Sequence, residues 1–231
     1  MAGPKLKAAT RTQGNNQALK DGTVKPRTCE LEFVEVDPLI DAFRRMVRSL
    51  EFDVSEMAMT TYITARAHGK KMIGLPIFLM RAFHHGAIKY NVKSGIKSPK
   101  DLEGRRVGVN RGYTVTTGLW ARSILANQYG VDLSKITWVL SGDEHVAEYR
   151  PPANVVPIEK GKKMGDMLAA GNSPEATSSA ILRPFSMGTT FAGGLNSATC
   201  SSPESTHVIL SRSTPYWFAR IVRAQRPVVT V

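Results

Sequence analysis

Residues 98–142 read SPKDLEGRRVGVNRGYTVTTGLWARSILANQYGVDLSKITWVLSG, and this stretch decides the fold. Ser98-Pro99 opens a turn that Asp101-Leu102-Glu103-Gly104 closes, and Arg105–Val109 is a short β-rich run. Asn110-Arg111-Gly112 forms a glycine-bearing loop. From Tyr113 to Tyr129 the spacing is helical, with Val115, Leu119, Trp120, Ile124 and Leu125 expected on one apolar face. Gly130 is a helix stop, and Ile136–Leu140 is a second apolar strand. Strand, loop, helix and strand make a βαβ unit, for which a parallel pair and a right-handed crossover are expected.

The chemistry of this unit lies in its loop. Residues Asn110–Thr114 sit between the carboxyl end of a strand and the amino end of a helix. Unsatisfied N–H groups and the positive helix pole converge there, and carboxylates and phosphates bind such places. Arg111 adds a charge, and Thr114, Thr116 and Thr117 add hydroxyls. The same residues could equally serve as a helix cap.

The stretches around this unit carry a resemblance. DLEGRRVGV, NRGY and YGVDLSKITWV resemble the second lobe of type II periplasmic-binding-protein-like folds. Upstream stand ALKDGTVKP (18–26), LEFVEVDP (31–38), FDVSEMAMTTYITARAHG (52–69) and RAFHHGAIKYNVKSGIKSP (81–99). Together, over about residues 4–171, these resemble the 4,5-dihydroxyphthalate decarboxylase family. The resemblance implies a two-lobed α/β fold with mixed sheets flanked by helices and a ligand held between the lobes. It implies loss of one carboxylate from a dihydroxylated aromatic diacid, giving protocatechuate and CO2. No cofactor is required in principle, because a phenol para to the departing carboxylate can supply electrons to the ring. A small-anion-binding protein without catalysis is the competing reading on the same fold.

Composition narrows the partners. The 231 residues carry a formal net charge of +12, and their Lys and Arg are scattered rather than blocked. An anionic aromatic small molecule fits this better than nucleic acid. Cys29 and Cys200 are far apart and lack metal or redox spacing. The first residues lack the apolar core of a secretory signal, and no apolar run approaches the ~18 residues of a membrane span. A cytoplasmic protein without membrane partners, with oligomerisation open, is expected.

In chain order, Lys5–Ala9 reads as a first strand with Arg11 and Thr12 at its carboxyl end. Asp37 is expected to cap a helix with Pro38 at its first position, and Leu39, Phe43, Met46, Val47 and Leu50 on its apolar face. Phe52–Met59 reads as a strand, and Thr60 and Thr61 at the start of the next helix are candidate donors to a substrate carboxylate. Met72–Leu79 reads as a buried strand broken or ended near Pro76. In Arg81-Ala82-Phe83-His84-His85, Arg81 can fork onto a carboxylate. His84 and His85 are candidate proton donors on opposite faces of a strand.

After the second strand of the βαβ unit, Asp143-Glu144-His145 mark a loop rim, where Glu144 or His145 could act as base toward a phenol. The substrate-binding set is thus Thr60, Thr61, Arg81, Arg111, Gly112, Tyr113 and Thr114, and the catalytic set His84, His85, His145 and Glu144. Histidine and carboxylate spacing matches no tight metal motif.

The expected division is a first lobe over 1–88 and a second over 89–171. Residues 172–231 contain neither Lys nor Asp and do not follow the family pattern. They read as an irregular divergent end, or as a shifted reading frame that would leave the first lobe incomplete.

Overall fold

A computed structural model describes residues 3–84, 87–169, 180–182, 195–197 and 203–211. In chain order the elements are β1 (Lys5–Ala9), α1 (Gln17–Lys20), β2 (Glu30–Phe33), α2 (Leu39–Ser49), β3 (Val54–Ala58), α3 (Met59–Ala67), β4 (Met72–Phe83), β5 (Ile88–Asn91), β6 (Arg106–Val109), α4 (Thr116–Tyr129), β7 (Thr137–Leu140), β8 (Val155–Pro157), α5 (Met164–Ala169), β9 (Ala180–Leu182), β10 (Leu195–Ser197) and β11 (Pro203–Ser211). The chain divides into two units, Met1–Met80 with Thr206–Val231, and Arg81–Ser205.

The first sheet has the order β2-β1-β3-β11-β4. β1 runs parallel to β2 and to β3, and β11 runs antiparallel to β3. α2 forms because apolar residues recur at helical spacing, and it buries Ile40, Phe43, Met46 and Val47. Each such side chain contributes roughly 1.5–3 kcal/mol of burial. Pro38 is the N-cap of α2 rather than its first residue, and Asp37 makes no side-chain cap. Pro76 does not break β4, because β4 is the edge strand of the described sheet, where a missing donor is tolerated. Met72 and Leu75 of β4 are buried as expected, whereas Ile73 and Ile77 are exposed.

The second sheet has the order β10-β5-β9-β6-β7-β8. The expected βαβ unit is present, with β6 and β7 parallel from Arg106↔Thr137 to Val109↔Leu140. Its core gathers Leu102, Val107, Val109, Leu125, Val131, Ile136, Trp138 and Leu140. Trp138 is fully buried and donates its indole N–H to Leu133 O at 3.2 Å. α4 ends at Gly130 in the left-handed region (φ 63°). The N–H groups of Gly130 and Val131 fold back onto Ala126 O and Leu125 O at 3.0 Å. The buried face of α4 carries Thr117, Gly118, Ala121, Arg122, Ile124 and Leu125, while Leu119 is exposed and Trp120 only half-buried. Small residues win this face because the helix lies close on the sheet. A Cβ on Gly118 would stand 2.8 Å from Val109 Cγ1.

The two units divide between Met80 and Arg81. Segments beyond 171 also join both sheets: β9 lies between β5 and β6, β10 pairs with β5, and β11 pairs with β3. The expected irregular end thus supplies strands. Among the described residues no helix is long and apolar enough to cross a membrane.

Candidate functional site

In the second unit the loops after β6 and β7 meet at the amino end of α4. Ser141, the first residue after β7, joins them: its hydroxyl accepts the Arg111 N–H at 2.7 Å and donates to Asn110 Oδ1 at 3.3 Å. Arg111, and not the neighbouring Gly112, takes the left-handed conformation (φ 70°). Gly112 is needed for a different reason. A Cβ there would lie 2.8 Å from both Asp143 O and Glu144 Cδ, so only glycine lets the 143–144 loop pack against it.

The N–H groups of this loop converge on an anion that the chain itself supplies, the carboxylate of Glu144. Tyr113 N–H donates to Glu144 Oε1, while Thr114 N–H and Thr114 Oγ1 donate to Oε2 at 3.0 and 2.6 Å. Glu144 is thus a partner of the loop rather than a carboxylate standing apart at an open rim. His145 beside it is buried, with 1% of its surface exposed, and so is not at an open rim either.

Sequence reasoning passed over Arg122. It is 5% exposed, its Nη2 donates to Tyr113 O at 2.7 Å, and its guanidinium stacks 3.5 Å from the centre of the Tyr113 ring. Tyr113 is therefore held through its N–H by Glu144, through its carbonyl by Arg122 and through its ring by Arg122, with Trp138 edge-on at 6.4 Å. Burial pushes the Arg122 pKa down, against the pull of Tyr113, Tyr149 and Glu144. Burial likewise pushes the Tyr149 phenol up, and the Glu144 charge adds to this. The available signal was a lone arginine at helical spacing among Ala121, Ile124 and Leu125.

His84 follows β4 in the second unit. It is 4% exposed, and its ring lies nearly parallel to Trp120 of α4, with centroids 6.5 Å apart and planes at 12°. His84 thus approaches the same helix whose amino end carries the loop. His85 and the side chain of Arg81 lie outside the described residues.

The first unit has its own polar cluster at the carboxyl end of β1. Glu56 of β3 has a fully buried side chain. It accepts the Arg11 N–H at 3.1 Å, Arg11 Nη2 at 3.3 Å and Gln13 Nε2 at 3.5 Å. Thr60 and Thr61, buried in the first turn of α3, belong to this unit. Thr60 O accepts the Thr64 hydroxyl at 2.9 Å. Arg11 was expected at this strand end, whereas Glu56 was hidden inside a strand and gave no signal.

A separate cavity in the second unit is lined by Ile88, Tyr90, Ile96, Leu102, Ile124 and Leu125. Lys97 and Ser98 also line it, and their N–H groups are both taken by the Asp101 carboxylate at 2.8 Å. Among the described residues no three histidine, cysteine or carboxylate side chains converge as metal ligands.

Comparison with known proteins agrees with this architecture. The NMT1/THI5-like family profile matches residues 38–151. The chain is 32% identical over 171 residues to 4,5-dihydroxyphthalate decarboxylase of Comamonas testosteroni, covering 74% of this chain and 49% of that enzyme. It is 32% identical over 162 residues to the enzyme of the same name from Pseudomonas putida, covering 66% of this chain and 62% of that one. The chain therefore spans about half to three-fifths of the length of these curated relatives.

Among solved structures, the periplasmic aliphatic sulphonate binding protein SsuA of Escherichia coli superposes with a TM-score of 0.55 at 14% identity, over 96% of this chain and 69% of that one. The alkanesulfonate-binding protein SsuA of Xanthomonas axonopodis pv. citri, bound to MOPS, gives 0.51 at 15% identity, over 97% and 71%. At such identity the structures speak to fold alone. Over part of its length, then, the chain resembles 4,5-dihydroxyphthalate decarboxylase, and it does so on a periplasmic-binding-protein-like α/β fold.

Proposed function

We propose that this protein binds a small hydroxylated aromatic dicarboxylate and decarboxylates it, with 4,5-dihydroxyphthalate as substrate and protocatechuate and CO2 as products. The observation that carries the reading is the 32% identity over 171 residues to decarboxylases of that name. The chemistry needs two anionic groups held, a proton delivered to a ring carbon and a phenol proton accepted. Arg111 and the Thr114 donors of the loop before α4 are the groups we assign to a substrate carboxylate.

His84 or His85 delivers the proton to the ring carbon that bears the departing carboxylate, while electron density from the para phenol reaches that carbon. The bond from ring to carboxylate then breaks, its electron pair stays with the ring, and CO2 leaves. One proton consumed per turnover balances the dianionic substrate against the monoanionic product. The phenol proton is assigned to His145 or Glu144.

A binding protein without turnover is the second reading, because the sulphonate-binding neighbours share the fold and the chain spans only part of the decarboxylases' length. A proton NMR time course of the purified chain with 4,5-dihydroxyphthalate separates the two. Appearance of protocatechuate resonances is expected. Substrate lines that broaden without conversion would replace the enzyme with the binding protein.

A further inference from the structure

The sharpest oddity of the molecule is an anion-binding loop that already holds an anion belonging to the chain. The donors at the amino end of α4, Tyr113 N–H, Thr114 N–H and Thr114 Oγ1–H, all point at the one carboxylate of Glu144. That carboxylate comes from the loop after β7, a different element from the one that supplies the donors. A second source of positive charge stands beside them. The Arg122 guanidinium is buried, its Nη2 reaches back to Tyr113 O, and its Nη1 has no hydrogen-bond partner among the described residues. Nη1 lies 3.3 Å from where a Cβ on Gly118 would be, alongside the first turns of α4. Three donors in the loop just before α4, with a buried guanidinium on the neighbouring Tyr113, thus serve a single internal carboxylate.

We propose that Glu144 is a built-in competitor: it fills the donor set at the head of α4 in the absence of ligand, and a carboxylate of an incoming anion displaces it. The inference rests on the reading above that this loop receives an anionic ligand, and deepens it by assigning the loop a gate. The exchange conserves hydrogen bonds, because one ionised carboxylate replaces another on the same three donors. The cost to the ligand is then set by occupancy. A donor set left vacant about one-tenth of the time weakens external binding about tenfold. Glu144 acts here as a selectivity device, since a neutral ligand or a weak acceptor cannot dislodge a carboxylate held by charge-assisted hydrogen bonds.

The sign of the effect distinguishes a gate from a structural strut. Phthalate is the probe, because without hydroxyl groups it can bind but lacks the phenol needed to react. Binding, not turnover, is read, since Glu144 is also a candidate base. Backbone amide resonances of Tyr113 and Thr114 are followed by 1H–15N NMR while phthalate is titrated into the full chain and into Glu144→Gln. The variant is expected to saturate at about tenfold lower phthalate concentration than the natural sequence. Equal or weaker binding by Glu144→Gln would overturn the gate while leaving the functional reading intact. Phthalate that moves neither amide in either protein would overturn both. The natural sequence supplies a check that needs no variant: the Glu144 side-chain carboxyl 13C resonance must shift together with the two amides. Amides that move while this carboxyl stays still would also overturn displacement.

Discussion

At the scale of single residues, two carboxylates, one buried and one half-buried, show how the fold uses charge. Glu56 and Glu144 each collect backbone and side-chain donors at strand ends, one in each unit. Gly112 exists to admit Glu144. Gly112→Ala places a methyl group 2.8 Å from backbone and carboxylate atoms of the 143–144 loop. It is expected to cost about 1–3 kcal/mol in urea denaturation. It should also shift the amide resonances of Tyr113 and Thr114, because their acceptor is pushed away.

His84 supports a catalytic prediction. His84→Gln keeps the polarity and removes the acid, so turnover of 4,5-dihydroxyphthalate should fall about 10²-fold or more if His84 delivers the proton. Full turnover by this variant would pass the role to His85.

Glu51 titrates far below its ordinary range, at about 2 rather than 4.5, first because of Arg45 and then Lys7. Arg45 Nε donates to one carboxylate oxygen at 2.7 Å, and Arg45 Nη2 and Lys7 Nζ reach the other. A folded-state value below the unfolded one means that this stabilisation is fully present above about 4.5 and disappears as pH falls toward 2. Arg45→Ala should raise the Glu51 value by about one pH unit or more, read from its carboxyl 13C shift. It should also flatten the dependence of melting temperature on pH across the same window.

At the scale of elements, α4 is the instructive case. Its termini were legible: Gly130 ends it in the left-handed conformation, and the loop before it presents its donors. Its buried face was only partly legible from apolar spacing: Val115, Ile124 and Leu125 are buried as expected. Leu119 and Trp120 were the obvious anchors, yet Gly118 and Ala121 face the sheet and Arg122 is buried with them. The close approach of helix to β6 favours small residues, and the stacked Tyr113 ring shelters the guanidinium. Gly118→Ala, which would stabilise an exposed helix through propensity, is expected to destabilise this one by about 1–3 kcal/mol. The reason is the 2.8 Å approach of its Cβ to Val109 Cγ1. Thermal melts of the variant would show the sign directly. Pro76 teaches the complementary lesson: the same residue that argues against a central strand is accommodated in β4 at the sheet edge.

At the scale of the whole molecule, the segments beyond residue 171 matter to both units. β11 pairs with β3 from Thr206↔Ala58 to Leu210↔Val54. β9 lies between β5 and β6, the first strand of the βαβ unit. A chain ending at residue 202 keeps β9 and β10 and loses β11. Hydrogen exchange should then show protection lost in β3 and β1 but retained in β6 and β7. A chain ending at Gly171 should lose protection in β5 and β6 as well. Retained protection in β3 after the first truncation would mean that β11 contributes little to the first sheet.

The sequence by itself determined the local grammar: β6 and β7 around α4, the glycine stop, the strand-end position of Arg11, and the loop carrying Arg111 and Thr114. These depend on spacing along the chain and on N–H groups that any helix start exposes. It also carried the resemblance to the decarboxylases. Only the tertiary structure decided which acceptor those N–H groups meet. Glu144 lies 30 residues from Thr114 in the chain, and nothing local indicates that its carboxylate turns onto that loop. The same holds for Arg122 beneath Tyr113, for Glu56 inside β3, and for the strands supplied beyond residue 171. Each depends on partners brought together across the fold, where burial selects the charge pairs and the strand neighbours that sequence spacing leaves open.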